Sequence, residues 1–119
     1  MNLRDLENYG FNVDEALELC INDEEILTEV LETALEEGRE KIPLLKELVK
    51  EKDYDRYIVE VHGLKNAAKQ IGADDLSETA KKSELLGKAG SIDEMLDNHD
   101  EVVSKYEGMV SALEALFAG

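Results

Sequence analysis

Residues 54–72 read YDRYIVEVHGLKNAAKQIG, and within them Tyr57, Val61, Leu64, Ala68 and Ile71 recur at a 4-3-4-3 spacing. That is the period of an α-helix turning one apolar face to a core. Asp53 stands where an N-cap side chain accepts from free backbone amides, and Gly72 where a left-handed residue ends a helix. A helix over 54–71 follows, its seam that of a packed bundle.

The same signals recur on both sides of this stretch. Asn12 with Glu15, and Asn22 with Glu25, have capping-box spacing and predict two helix starts. The first helix, about 13–20, carries Val13, Leu17 and Cys20 toward a core, and Leu3, Leu6 and Tyr9 suggest a helical turn before it that closes at Gly10. From 23 to about 51, Ile26, Val30, Leu31, Leu35, Ile42, Leu45, Leu48 and Val49 fall at helical spacings, interrupted by Gly38 and Pro43. Pro43 lacks an amide donor and crowds the carbonyl of Arg39, so a bend or short break near Gly38 is expected. Downstream, Asp74 restarts the chain, and Leu76, Ala80, Leu85 and Leu86 mark a helix to about Lys88 that Gly90 stops. Ser91 and Glu94 form a capping box for a last helix over 92–117.

Connections of two or three residues cannot cross a bundle, so the four longer helices must run antiparallel to their neighbours. The expected architecture is all-α: an antiparallel up-down-up-down four-helix bundle over 22–118, with short N-terminal helical segments in 1–21, making one domain of 1–119. One proline, no tryptophan, 43% apolar and 35% charged residues agree with helices.

The net charge of −16 opposes binding to nucleic acid or to anionic membranes. No apolar run reaches the roughly 18–20 residues of a membrane span, and the lone Cys20 has no partner for an internal disulfide. The expected location is the cytoplasm. The expected quaternary state is a monomer, because like charges repel and one bundle closes its own core.

Opposite the buried seam, Lys65, Asn66 and Lys69 follow His62 at i+3, i+4 and i+7 and share its outward face. In a chain with 29 acidic and 13 basic residues, an imidazole flanked by two ammonium groups and no carboxylate is a local reversal of sign. A neutral imidazole nitrogen is a competent nucleophile toward phosphorus, and Lys65 and Lys69 would neutralise phosphoryl oxygens. The spacing alone is equally that of an ordinary solvated histidine beside surface lysines.

Residues 62–76, HGLKNAAKQIGADDL, carry more than spacing. They resemble the signature of the histidine-containing phosphotransfer (HPt) domain family: His, any residue, Leu, Lys, then a small residue and an aliphatic before Gly-Ala and a leucine. His62, Leu64, Lys65, Ala68, Ile71, Gly72, Ala73 and Leu76 fit it. The resemblance implies a phosphorelay carrier whose His62 takes a phosphoryl group from a receiver-domain aspartate and passes it to another receiver. It implies no independent catalysis and no cofactor of its own, since the receiver would supply a divalent metal such as magnesium. The implied partners are response-regulator receiver domains and a hybrid histidine kinase. Asn66 departs from the pattern, which usually has glycine one turn after the histidine. Its side chain either obstructs a partner, bonds the imidazole or a phosphoryl oxygen, or is merely tolerated. A docking module that keeps the bundle without being phosphorylated is the alternative function, but it has no need of a nucleophile beside a cation.

His99 lies in the acidic run Asp97-Asn98-His99-Asp100-Glu101 and reads as solvated surface, where substitution should be neutral. No second His or Cys stands at metal-ligand spacing beside it. Cys20 reads as a small buried hydrophobe, and Glu24, Glu25, Glu29, Glu32, Glu36, Glu37 and Glu40 as the wet face of the long helix.

Overall fold

The computed structural model describes residues 1–118 and is all-helical. A 3₁₀ helix, Leu3–Tyr9, precedes α1 (Val13–Leu19), α2 (Glu24–Lys50), α3 (Tyr54–Gln70), α4 (Asp74–Lys88) and α5 (Ile92–Phe117). Helices α2 to α5 form the bundle: α3 packs on α4, α4 on α5, α5 on α2, and α2 closes the ring on α3. The 40 Å long axis matches a 27-residue helix at about 1.5 Å per residue.

The seam of α3 is buried as its spacing requires. Tyr57 and Val61 are fully enclosed, with Leu64, Ala68 and Ile71 beside them, facing Leu31, Leu45, Met95, Val102 and Leu113 in one core. Cys20 is buried, and Asn12 caps α1 by accepting from the Glu15 amide at 3.1 Å. The N-terminal segment is tied to the end of α3, because the Asn12 amide donates to the Gly72 carbonyl at 2.8 Å. Gly72, at φ +76°, lies so close to the Asn12 backbone that a Cβ would collide with it. Glycine is required there twice over.

Four expectations need correction. Asn22 does not cap α2: Ile21 and Asn22 are both left-handed, at φ +55° and +56°, and form the turn itself, so Asp23 becomes the cap and accepts from Glu25 and Ile26. Helix α2 is not broken near Gly38, nor at Pro43, which lies inside it. Gly38 is buried where a Cβ would come within 2.5 Å of Val110 Cγ2 and 3.2 Å of Tyr106, so it lets α2 approach α5 rather than interrupting the helix. Ser91 occupies the N-cap of α5 without a side-chain cap bond. Leu85 is 56% exposed, and the buried stripe of α4 is instead Leu76, Ala80, Ser83, Glu84 and Gly87.

Candidate functional site

His62 projects from the middle of α3 with its side chain 51% exposed, because Val61 and Leu64 hold the opposite face in the core. Its nearest partner was not foreseen. Nδ1 is hydrogen bonded to the carboxylate of Glu84, a residue of α4 whose side chain is only 3% exposed. Lys65 Nζ reaches the other oxygen of Glu84 at 2.7 Å, and Lys88 Nζ lies 3.1 Å from the first. Lys65, with Lys88 and His62 adding to it, holds the Glu84 carboxyl down to about 2 against the opposing effect of burial.

An ionised carboxylate only accepts hydrogen bonds, so in the neutral imidazole Nδ1 carries the hydrogen and Nε2 the lone pair. Asn66 Nδ2 approaches Nε2 at 3.4 Å. The tautomer suits a nucleophile: one nitrogen is anchored, and the other is met only by a long contact from an exposed amide that a partner can displace.

Close packing of α4 on α3 places Glu84. A Cβ on Gly87 would meet Ile58 at 2.5 Å and Met95 Sδ at 2.8 Å, so glycine permits the approach. Ser77 Oγ adds a bond to the Lys65 carbonyl at 2.8 Å. Of the lysines expected to meet phosphoryl oxygens, Lys65 is half-buried and committed to Glu84. Lys69 is exposed and lies 2.9 Å from Glu15 and 3.3 Å from Asp74, which raise its pKa. The expectation of an imidazole without a carboxylate neighbour is therefore wrong. The signal for Glu84 was its place in the stripe Leu76, Ala80, Ser83, Gly87, one turn after Ala80.

His99 is not solvated surface. It is buried, with Nδ1 2.8 Å from the Tyr57 hydroxyl and its ring edge-on to that of Tyr57. Met95, His99, Val102 and Tyr106 share a 4-3-4 core stripe on α5, a period that could have revealed it. Its neighbour Asn98 donates to the Thr79 carbonyl at 3.0 Å and to Ser83 Oγ at 2.7 Å. Burial lowers the pKa of His99, with Asp100 opposing and Lys46 reinforcing, and burial pushes the Tyr57 hydroxyl up to about 12.

Each of the two helices that build the site carries an exposed apolar side chain. Val59, one turn before His62 on α3, is 67% exposed, and Leu85, next to Glu84 on α4, is 56% exposed. Lys81, Lys82 and Lys88 surround Leu85 on the surface of α4. Among the described residues, no helix is long and apolar enough to cross a membrane.

The helical bundle carries a half-exposed imidazole seated on a buried carboxylate, and known proteins share its fold. The family model described as Hpt domain matches residues 29–117. The structure is similar to that of the HPT domain from the Hpt sensor hybrid histidine kinase from Shewanella, with a TM-score of 0.84 at 15% identity, covering 92% of this chain and 95% of that one. No curated protein matches the chain. The chain belongs to the Hpt domain family, and so to the phosphotransfer domains of two-component signalling.

Proposed function

We propose that His62 accepts a phosphoryl group from the aspartyl phosphate of a receiver domain and passes it to the aspartate of another. The observation that carries this reading is the anchored imidazole: Glu84 takes Nδ1–H, and Nε2, on a half-exposed side chain in the middle of α3, meets only the long contact from Asn66. In transfer, that lone pair forms an N–P bond as the P–O bond to the aspartate breaks, its electron pair leaving on the carboxylate. The imidazole then carries both the phosphoryl group and the Nδ1 hydrogen. Its positive charge faces Glu84, whose ionised form is secured by Lys65 and Lys88. The return step is the reverse.

In this reading Lys65 acts chiefly by positioning Glu84. Lys69 reaches phosphoryl oxygens only by leaving Glu15 and Asp74. Val59 and Leu85 would seat an apolar surface of the receiver. The domain would act as a monomer without a metal of its own, magnesium coming with the receiver.

Receivers phosphorylated in vitro supply the test. Label should pass to the wild type and on to a second, unphosphorylated receiver, and His62→Gln should take up none while its circular dichroism stays unchanged. Equal labelling of wild type and His62→Gln would refute the assignment.

A further inference from the structure

Both nitrogens of His62 are occupied in the resting domain, and the outer one is met by Asn66, one helical turn further along α3. With Nδ1–H given to Glu84, Nε2 is an acceptor, so Asn66 presents its amide N–H groups to it. The contact is long, 3.4 Å, and the side chain is exposed, so it turns aside easily. Lys65 and Lys69, the other donors on this face of α3, are committed to Glu84 and to Glu15 with Asp74. The Asn66 side chain has no hydrogen-bond partner but the imidazole among the described residues.

We propose that Asn66 retains the transferred phosphoryl group: its amide caps Nε2 in the resting domain and donates to a phosphoryl oxygen once the N–P bond has formed. The proposal rests on His62 being the acceptor. A covalent N–P bond is far shorter than the present contact, so the phosphorus takes the place of the amide hydrogen. The displaced amide, still one turn away, then lies beside anionic oxygens that are stronger acceptors than a neutral imidazole. Loss of the phosphoryl group to water requires a bond from the water oxygen to phosphorus as the N–P electron pair returns to Nε2. A donor holding one phosphoryl oxygen opposes the motion of that group away from the imidazole, and the phosphohistidine lives longer.

Phosphoramidate labels histidine without a partner protein. Nε2 forms the N–P bond, the bond from phosphorus to the amine breaks, ammonia leaves with three hydrogens, and Nδ1 keeps its own. Phosphohistidine in wild type, Asn66→Ala and Asn66→Asp is then followed by phosphorus NMR, with His62→Gln as the control for label elsewhere. Loss of one such hydrogen bond should shorten the half-life about fivefold in Asn66→Ala. Asn66→Asp keeps the shape but brings a negative charge in place of the donor, and should shorten it further. The 15N resonance of unphosphorylated His62 Nε2 should move in Asn66→Ala, since the resting bond is lost. Unchanged half-lives in both variants, or an unmoved resonance, would overturn the role given to Asn66. Absence of label on His62 in the wild type would overturn the acceptor assignment itself.

Discussion

At the scale of single residues, the site depends on one buried carboxylate. Glu84 fixes the tautomer of His62 and gathers the charge of Lys65 and Lys88, so its neutral isostere should disturb the chemistry more than the fold. Glu84→Gln should slow phosphoryl uptake by about tenfold, the worth of a charge-assisted hydrogen bond, as measured by initial rates from a phosphorylated receiver. A variant as fast as the wild type would remove Glu84 from the account. The carboxyl is held at about 2, below the ordinary value of 4.5, so it contributes stability above about pH 4.5 that is lost as pH falls toward 2. His62 was legible in the sequence because the residues after it match a signature. Glu84 was not, because it lies 22 positions away on another helix and a glutamate between Ser83 and Leu85 reads as surface. What makes it buried is the approach that Gly87 allows, and its one local signal was its place a turn after Ala80 in the buried stripe of α4.

At the scale of elements, periodicity and turn residues placed the helices well. The 4-3-4-3 seam of α3 is buried throughout, and the turns at Gly72 and Gly90 fall where expected, both with positive φ. Sequence reasoning failed where one residue type serves two purposes. Gly38 looked like a helix breaker and is a contact point, and Asn22 looked like a cap and is a left-handed turn residue. Leu85 looked like core and is exposed, next in sequence to Glu84. Leu64→Ala should cost about 2–5 kcal/mol through lost burial and a residual cavity. Gly38→Ala should cost about 1–3 kcal/mol despite alanine's better helix propensity, because its methyl group would meet Val110 and Tyr106. Denaturant midpoints check both, and a Gly38→Ala midpoint at or above that of the wild type would contradict the packing described for α2 and α5.

At the scale of the whole molecule, α3, α4 and α5 are joined by a buried polar network as well as by apolar contacts. Tyr57 meets His99, and Asn98 meets Ser83 and Thr79. Burial lowers the pKa of His99 below 6.5, and Asp100, which opposes the shift, and Lys46, which reinforces it, complete its charged surroundings. The unfolded chain therefore binds the extra proton first as pH drops through about 6.5, and stability falls with it. The advantage of the wild type over His99→Gln should shrink between pH 7.5 and pH 5.5 in parallel denaturation curves, and a constant difference would exclude a neutral buried His99. The central claim, however, concerns the orientation of His62: a carboxylate on Nδ1 that leaves Nε2 to react. The most direct measurement is 15N-edited NMR of the protein after transfer from a phosphorylated receiver, which distinguishes the two phosphohistidine isomers. The account predicts phosphorus on Nε2 of His62 with Nδ1 still protonated, and phosphorus on Nδ1, or on a residue other than His62, would contradict it.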